Sequence, residues 1–169
     1  SWVEQLGAVM VKTALVAACF LVLGLRAPEA AVDAKGSFEQ IKSLAGKWAG
    51  NTEHGEAVVE FRVTAAGSAV VETMFPGTTH EMTNMYAMDQ GDLYMVHYCG
   101  LGNQPRMKLI SSDGSLKFEA VSVATKPDTD SQYMHSLELT IGEGKLKETW
   151  GHMDKGKVES HATFELGKQ

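Results

Sequence analysis

The sequence predicts an all-β fold, an up-and-down antiparallel β-barrel of about ten strands with a short N-terminal helix capping it. Beyond residue 46 the chain consists of short runs rich in Val, Thr, Tyr, Phe and Met, without a helical period. Glycine-containing links typical of hairpin turns, such as Asp113-Gly114 and Glu143-Gly144, join these runs. A meander of this length leaves bare sheet edges unless it closes on itself, so we expect a barrel.

The predicted strands follow one another without an intervening helix, which argues against a parallel α/β fold. Their predicted bounds are 47–53, 56–65, 69–76, 79–88, 92–99, 105–111, 115–123, 133–141, 145–152 and 157–166. The longest link, 125–132, contains Pro127 and is expected at a barrel mouth.

One short amphipathic helix is predicted ahead of the first strand. Ser37 and Gln40 have the spacing of a capping box, which would begin the helix at Ser37. Phe38, Ile41 and Leu44 then recur at helical intervals.

The first 34 residues have the pattern of a secretory signal peptide, which leaves 35–169 as one barrel domain. A basic start at Met10-Val11-Lys12 precedes an apolar run over 13–25, and this run is too short to span a membrane. Residues 1–9 are interpreted as an over-extended start and are set aside. The predicted location is periplasmic or secreted, with no membrane span in the mature chain.

Two features of this segment leave alternatives open. Cleavage is predicted after Ala34, and a second small-residue site ends at Ala30. Val16-Ala17-Ala18-Cys19 also matches a lipoprotein cleavage box, which would attach a lipid at Cys19.

Composition and charge restrict the partners. The chain is 44% hydrophobic and carries a net charge of −6, and an acidic surface disfavours nucleic acid and anionic membranes. Cys99 is the single cysteine beyond the predicted signal peptide, so no internal disulfide is expected. We expect a small-molecule ligand, no cofactor, and a monomer or weak dimer.

Hairpin turns predict which side chains share a face. A two-residue turn at 143–144 and a three-residue turn at 154–156 place Glu148 and Trp150 on the inward face. The expected cross-strand pairs are Leu137 with Trp150, Leu139 with Glu148, His135 with His152, Trp150 with Ser160, Glu148 with Ala162, Leu146 with Phe164 and His152 with Val158. For the turn after Asp89, a two-residue link sets His97 beside Asn84, whereas a three-residue link turns His97 to the other face.

Gly46-Lys47-Trp48, placed after a short helix, resembles the Gly-x-Trp signature of lipocalin-type barrels, in which the tryptophan closes the barrel floor. Residues 75–82 and 93–107 are similar to a family of exported bacterial lipocalin-like proteins of unassigned function, and the similarity covers most of 44–166. The resemblance implies a fold and not a substrate. About ten strands are closer in number to fatty-acid-binding and nitrobindin-like barrels than to lipocalins. Nitrobindin-like proteins hold haem through a histidine near the last strand, where His161 is predicted to point outward.

Part of the candidate ligand-binding set lies on one predicted loop, 100–106, which is rich in donors and acceptors and lies beside His97. The set comprises His80, Asn84, His97, Asn103, Gln104, Arg106, Glu148 and Trp150. Methionines are interpreted as flexible filler for a cavity.

The function predicted from these features is that of an exported barrel that binds a mostly apolar small molecule with a polar head. A metal- or haem-binding barrel is the first alternative, with His135, His152 and Glu148 as the candidate metal ligands. The second alternative is an enzyme on a small lipid-like or organic substrate. No catalytic residues are assigned, because Cys99 and His97 lack an orienting third group.

Overall fold

The computed structural model describes residues 31–52, 55–125 and 132–169, with the backbone alone of residues 160 and 161. Within these residues one α-helix precedes ten strands, and a 3-10 turn at Ala65–Gly67 links the second strand to the third. The elements are α1 (Ala34–Ser43), β1 (Gly46–Thr52), β2 (Gly55–Thr64), β3 (Ala69–Met74), β4 (Met82–Asp89), β5 (Asp92–Tyr98), β6 (Gln104–Ser111), β7 (Leu116–Ala124), β8 (Tyr133–Gly142), β9 (Lys145–Asp154) and β10 (Lys157–Lys168).

The ten strands of the described chain form one closed barrel. Each strand pairs antiparallel with the next, and β10 pairs with β1 to complete the ring. The predicted all-β, up-and-down barrel is therefore confirmed. The β4 strand begins later than predicted because residues 75–81 form their own turns, in which Phe75 and Gly77 adopt positive φ and the Glu81 carboxylate accepts from the Gly77 N–H at 2.6 Å.

The helix begins earlier than the sequence predicted. Its N-cap is Asp33, whose carboxylate accepts a hydrogen bond from the Gly36 N–H at 2.8 Å, so the predicted start at Ser37 is wrong. Ser37 is instead buried inside the first turns, where its hydroxyl donates to the Asp33 carbonyl at 2.6 Å. No helix in the described residues is long and apolar enough to cross a membrane.

Helix α1 closes one end of the barrel. Phe38 and Ile41 are buried in the same apolar cluster as the strand side chains. Trp48, at the start of β1, is 3% exposed, and its indole N–H donates to the Leu44 carbonyl at 2.7 Å. The Asp33 N–H reaches across to the Ser112 hydroxyl in the link between β6 and β7. We call this the helix end and the opposite one the open end.

The register settles which face of β5 lies inside. Asp89 pairs with Asp92 around a two-residue turn, which sets His97 directly beside Asn84 on the barrel lining. On β8 and β9, the predicted pairs Leu137 with Trp150 and Leu139 with Glu148 are confirmed.

Bulges overturn the other predicted pairs. An irregularity between Met134 and Ser136 moves His135 out of register with His152, which pairs with Met134. The turn between β9 and β10 has two residues, not three, so His152 pairs with Glu159. A second bulge, between residues 160 and 162, gives Trp150–Ala162, Glu148–Phe164 and Leu146–Leu166 as the observed pairs. The shorter turn and the bulge each shift the β9–β10 register by one residue, which makes a shift of two. Because side chains alternate between the two faces of a strand, Glu148 and Trp150 stay on the inward face.

The seam between β1 and β10 has the fewest paired residues of the strand pairings in the described barrel. Two residue pairs join these strands, Trp48 with Lys168 and Ala49 with Gly167, both near the helix end. At Gly50 the strands cross so closely that a Cβ atom would lie 2.0 Å from the Glu165 carbonyl oxygen. A side chain at this position would therefore force the seam apart.

We expect Gly50→Ala to destabilise the fold by about 2 kcal/mol, as overpacking against fixed backbone does. Gly142→Ala is the matched control, because a Cβ there meets Lys145 at an ordinary 3.8 Å. Urea unfolding of both variants measures the difference. Equal free energies of unfolding for the two variants would show that the seam is not tight.

Candidate ligand cavity and polar floor

A cavity of about 860 Å³ occupies the open end of the barrel. It reaches the surface between the strand ends, because exposed Thr78 and His80 belong to its lining. The described lining residues are Thr52, Glu56, Met74, Phe75, Thr78, His80, Met82, His97, Met134, Trp150, Ala162, Thr163 and Phe164. A volume of this size holds a drug-sized or lipid-sized molecule.

The cavity walls are apolar and adaptable. Met74, Met82 and Met134 line them from β3, β4 and β8. The rings of Phe75 and Phe164, which both line the cavity, pack edge to face with centroids 5.6 Å apart. Methionine side chains fill irregular spaces in several rotamers, so these walls can follow the outline of a flexible apolar chain.

Beneath the cavity lies a cluster of buried polar and aromatic side chains that we call the polar floor. It comprises Glu72 on β3, Asn84 and Tyr86 on β4, His97 on β5, and Glu148 and Trp150 on β9. Each of these side chains is at most 2% exposed. Glu72, Asn84 and His97 form one cross-strand row, since Asn84 pairs with both of the others.

Hydrogen bonding fixes the protonation of His97. Its Nδ1 lies 2.6 Å from the Asn84 side-chain oxygen, which can only accept, so Nδ1 carries the proton and Nε2 keeps a lone pair. Burial lowers the pKa of His97 to about 4, so the ring is neutral at neutral pH. Its ring centroid lies 4.9 Å from that of Trp150, and both rings line the cavity.

Glu72 accepts hydrogen bonds from other side chains of the polar floor. The Tyr86 hydroxyl donates to Glu72 Oε2 at 2.5 Å, and burial and the nearby carboxylates raise the pKa of Tyr86. Burial raises the pKa of Glu72 to about 7, while hydrogen bonds from Tyr86 and Asn84 oppose the rise. Near neutral pH, the carboxyl is therefore divided between its charged and neutral forms.

Glu148 is the second carboxyl of the floor. Burial raises its pKa well above the usual range, and the charge of Glu72 raises it further. The Trp150 indole N–H donates to Glu148 Oε2 at 3.3 Å and partly offsets the rise. Of the floor's buried atoms, Glu72 Oε1, Glu148 Oε1 and His97 Nε2 have no hydrogen-bond partner.

The structure brings five of the predicted site residues to the cavity or its floor. His97 and Trp150 line the cavity, Asn84 and Glu148 lie directly below, and exposed His80 stands at the mouth.

The loop residues predicted to form the polar end of the site lie elsewhere. The Asn103 amide donates to the Gln132 carbonyl at 2.7 Å and ties two loops together. Gln104 bonds the Gly102 carbonyl and the Thr125 hydroxyl. Arg106 alternates with buried neighbours, so it points outward, where it pairs with Asp89 at 2.6 Å and stacks on Tyr94. None of the three is among the described lining residues of the cavity.

The alternative metal site does not assemble. In the described part of the chain no three His, Cys, Asp or Glu side chains are placed to hold a metal ion. The predicted ligands His135, His152 and Glu148 do not come together, because the bulge at His135 moves it out of register with His152. The side chain of His161 lies outside the described residues. Burial raises the pKa of the half-buried Cys99, which keeps its thiol protonated.

Sequence reasoning missed Glu72 and Tyr86. The signal that could have found Glu72 is the alternation Val70, Glu72, Met74 on β3, which places a carboxyl on the apolar face. Tyr86 follows Asn84 at the same two-residue spacing on β4.

The ten-stranded antiparallel barrel is consistent with a calycin-type fold. Comparison of the sequence with protein-family models and with curated proteins identifies no match.

Glu72 makes stability depend on pH. Because its folded pKa of about 7 exceeds the ordinary glutamate value of 4.5, folding binds a proton between these values, and stability is lost as pH rises through them. Between pH 5 and 8 we expect wild type to lose about 2 kcal/mol relative to Glu72→Gln. Urea unfolding at both pH values measures this, and exposed Glu119→Gln is the control. Parallel profiles for wild type and Glu72→Gln would contradict the assignment.

Proposed function

We propose that this protein is an exported small-ligand-binding barrel of the lipocalin-like kind, whose ligand is mostly apolar and carries a polar head. The observation that carries the proposal is the cavity of about 860 Å³ at the open end, with apolar walls and a polar floor. Apolar pockets with a few converging polar groups are the usual form of small-molecule sites.

The arrangement of the barrel supports a carrier. Helix α1 and Trp48 close one end, so a ligand has one described route in, past Thr78 and His80. The walls supply burial for an apolar tail, worth about 25 cal/mol for each Å² removed from water. The polar floor supplies fixed hydrogen-bonding groups for a head at the bottom of the cavity.

Native mass spectrometry of protein extracted gently from its source tests the proposal. A small molecule retained at one per chain, and lost on denaturation, is the expected result. Protein that carries no molecule and binds no apolar dye would contradict it.

Ala162 lines the cavity beside its cross-strand partner Trp150. We therefore expect Ala162→Phe to fill part of the cavity and to weaken binding of the neutral dye Nile red at least tenfold. Ala124→Phe, at an exposed position outside the lining, is the matched control. Fluorescence titration gives both affinities, and thermal unfolding checks that both variants fold. Unchanged binding by Ala162→Phe would place the dye site outside the barrel.

Export is part of the proposal, with cleavage at the second of the two sites, and the helix cap at Asp33 supports that choice. Cleavage after Ala34 would remove Asp33, whose side chain and backbone bond Gly36, Ser37 and Ser112. Losing an N-cap of this kind costs about 1 kcal/mol. Cleavage after Ala30 keeps the cap.

N-terminal sequencing of the exported protein is expected to begin at Ala31. A chain that begins at Lys35 would show that the helix forms without its cap. The same experiment distinguishes a lipidated N-terminus at Cys19 by mass.

A transition-metal or haem protein is the second candidate function. The observation that favours it is His97, whose Nδ1–H is fixed by Asn84 and whose neutral Nε2 is unpartnered, as in many metal-ligating histidines. Visible absorption and elemental analysis of the purified protein test this candidate. A metal or haem signal that is lost in His97→Ala would support it, and a colourless, metal-free protein would contradict it.

A further inference from the structure

One unpartnered atom of the polar floor, His97 Nε2, belongs to a residue that lines the cavity and can only accept a hydrogen bond. Glu72 Oε1, Glu148 Oε1 and His97 Nε2 are fully buried, and none has a donor in the described structure. The Nε2 atom cannot donate, since the proton of the ring lies on Nδ1 toward Asn84. A buried acceptor without a donor lowers stability, so a ligand group that donates a hydrogen bond is favoured here.

The charge of the site has one sign. The described cavity lining contains no Lys or Arg, and its rim contributes the carboxyl of Glu56. The polar floor itself contains the carboxyls of Glu72 and Glu148, close enough that the charge of Glu72 raises the pKa of Glu148. An anionic head would therefore enter a site with negative neighbours and no described cation to balance it.

The aromatic part of the floor points the same way. Trp150 lines the cavity and donates its indole N–H to Glu148, and indole rings attract cations. The walls above are mostly apolar, with Met74, Met82 and Phe164 among them.

On the basis of the proposed function, we infer that the ligand's head is a hydrogen-bond donor without negative charge, an amine or a hydroxyl on a long apolar tail, and that carboxylate amphiphiles are excluded. This assigns the site a ligand class opposite in charge to fatty acids.

Three ligands with the same tail test the inference on the unmodified protein. Calorimetric titration at pH 7.5 with decylamine, 1-decanol and sodium decanoate, each below its aggregation limit, compares cationic, neutral and anionic heads. We expect decylamine to bind at least tenfold more tightly than decanoate, with decanol between them. Decanoate binding as tightly as decylamine would overturn the inference and leave the proposed carrier function standing. If none of the three ligands binds and Nile red is also refused, the proposed function itself fails.

Two variants then test whether the floor sets this selectivity. Glu72→Gln removes a carboxyl that is mostly ionised at pH 7.5, because its pKa is about 7, and is expected to reduce the decylamine-to-decanoate affinity ratio at least threefold. Glu148→Gln replaces a carboxyl whose raised pKa keeps it neutral, and it is expected to change the ratio less. Glu119→Gln removes an exposed carboxyl on the outer face of β7 and is expected to leave the ratio unchanged. A ratio that stays the same in Glu72→Gln, or falls equally in Glu119→Gln, would overturn the assignment to the floor.

Discussion

The closure of ten strands into one ring is the constraint on which the rest of this structure depends. A barrel of about eight strands has an interior that side chains can just fill, and each added strand widens it. In this protein strand side chains, together with α1 and Trp48, fill the interior near the helix end. Toward the open end no such plug is described, and the width of the ring leaves a cavity.

The polar floor divides these two halves. Burying two carboxyls, a tyrosine and a histidine costs stability, and burial raises the pKa values of Glu72 and Glu148 for the same reason. Apolar residues of similar volume in place of buried charged groups are often neutral or stabilising, so stability alone does not account for the polar floor. Unfavourable burial of this kind concentrates at functional sites, where other parts of the fold compensate for it.

The outside of the barrel carries a different kind of polar chemistry. Arg106, on β6, forms an exposed ion pair with Asp89 on β4 and stacks on Tyr94 of β5. The Asn103 amide ties the link after β5 to the link after β7. These contacts hold neighbouring strands and loops together, so the residues richest in donors support the cavity from outside rather than line it.

Much of the fold could be predicted from the sequence alone. The two-residue period and the glycine turns determined the number of strands, their order and most of their bounds, because these are local properties of the chain. The same period placed Glu148 and Trp150 inside. For the site, the sequence supplied His97 and Asn84 as a possible pair and left the turn after Asp89 open.

The tertiary structure decided what depended on contacts between distant parts of the chain. The bulges near His135 and between residues 160 and 162 separated predicted partners, because a bulge reflects the curvature needed to close the barrel and not the local pattern. Asp33 capped the helix in place of Ser37, and its N–H donates to the hydroxyl of Ser112, which is distant in the sequence. Glu72 joined the site because closure brought β3 and β9 to face the same interior, and no spacing along the chain encodes that distance.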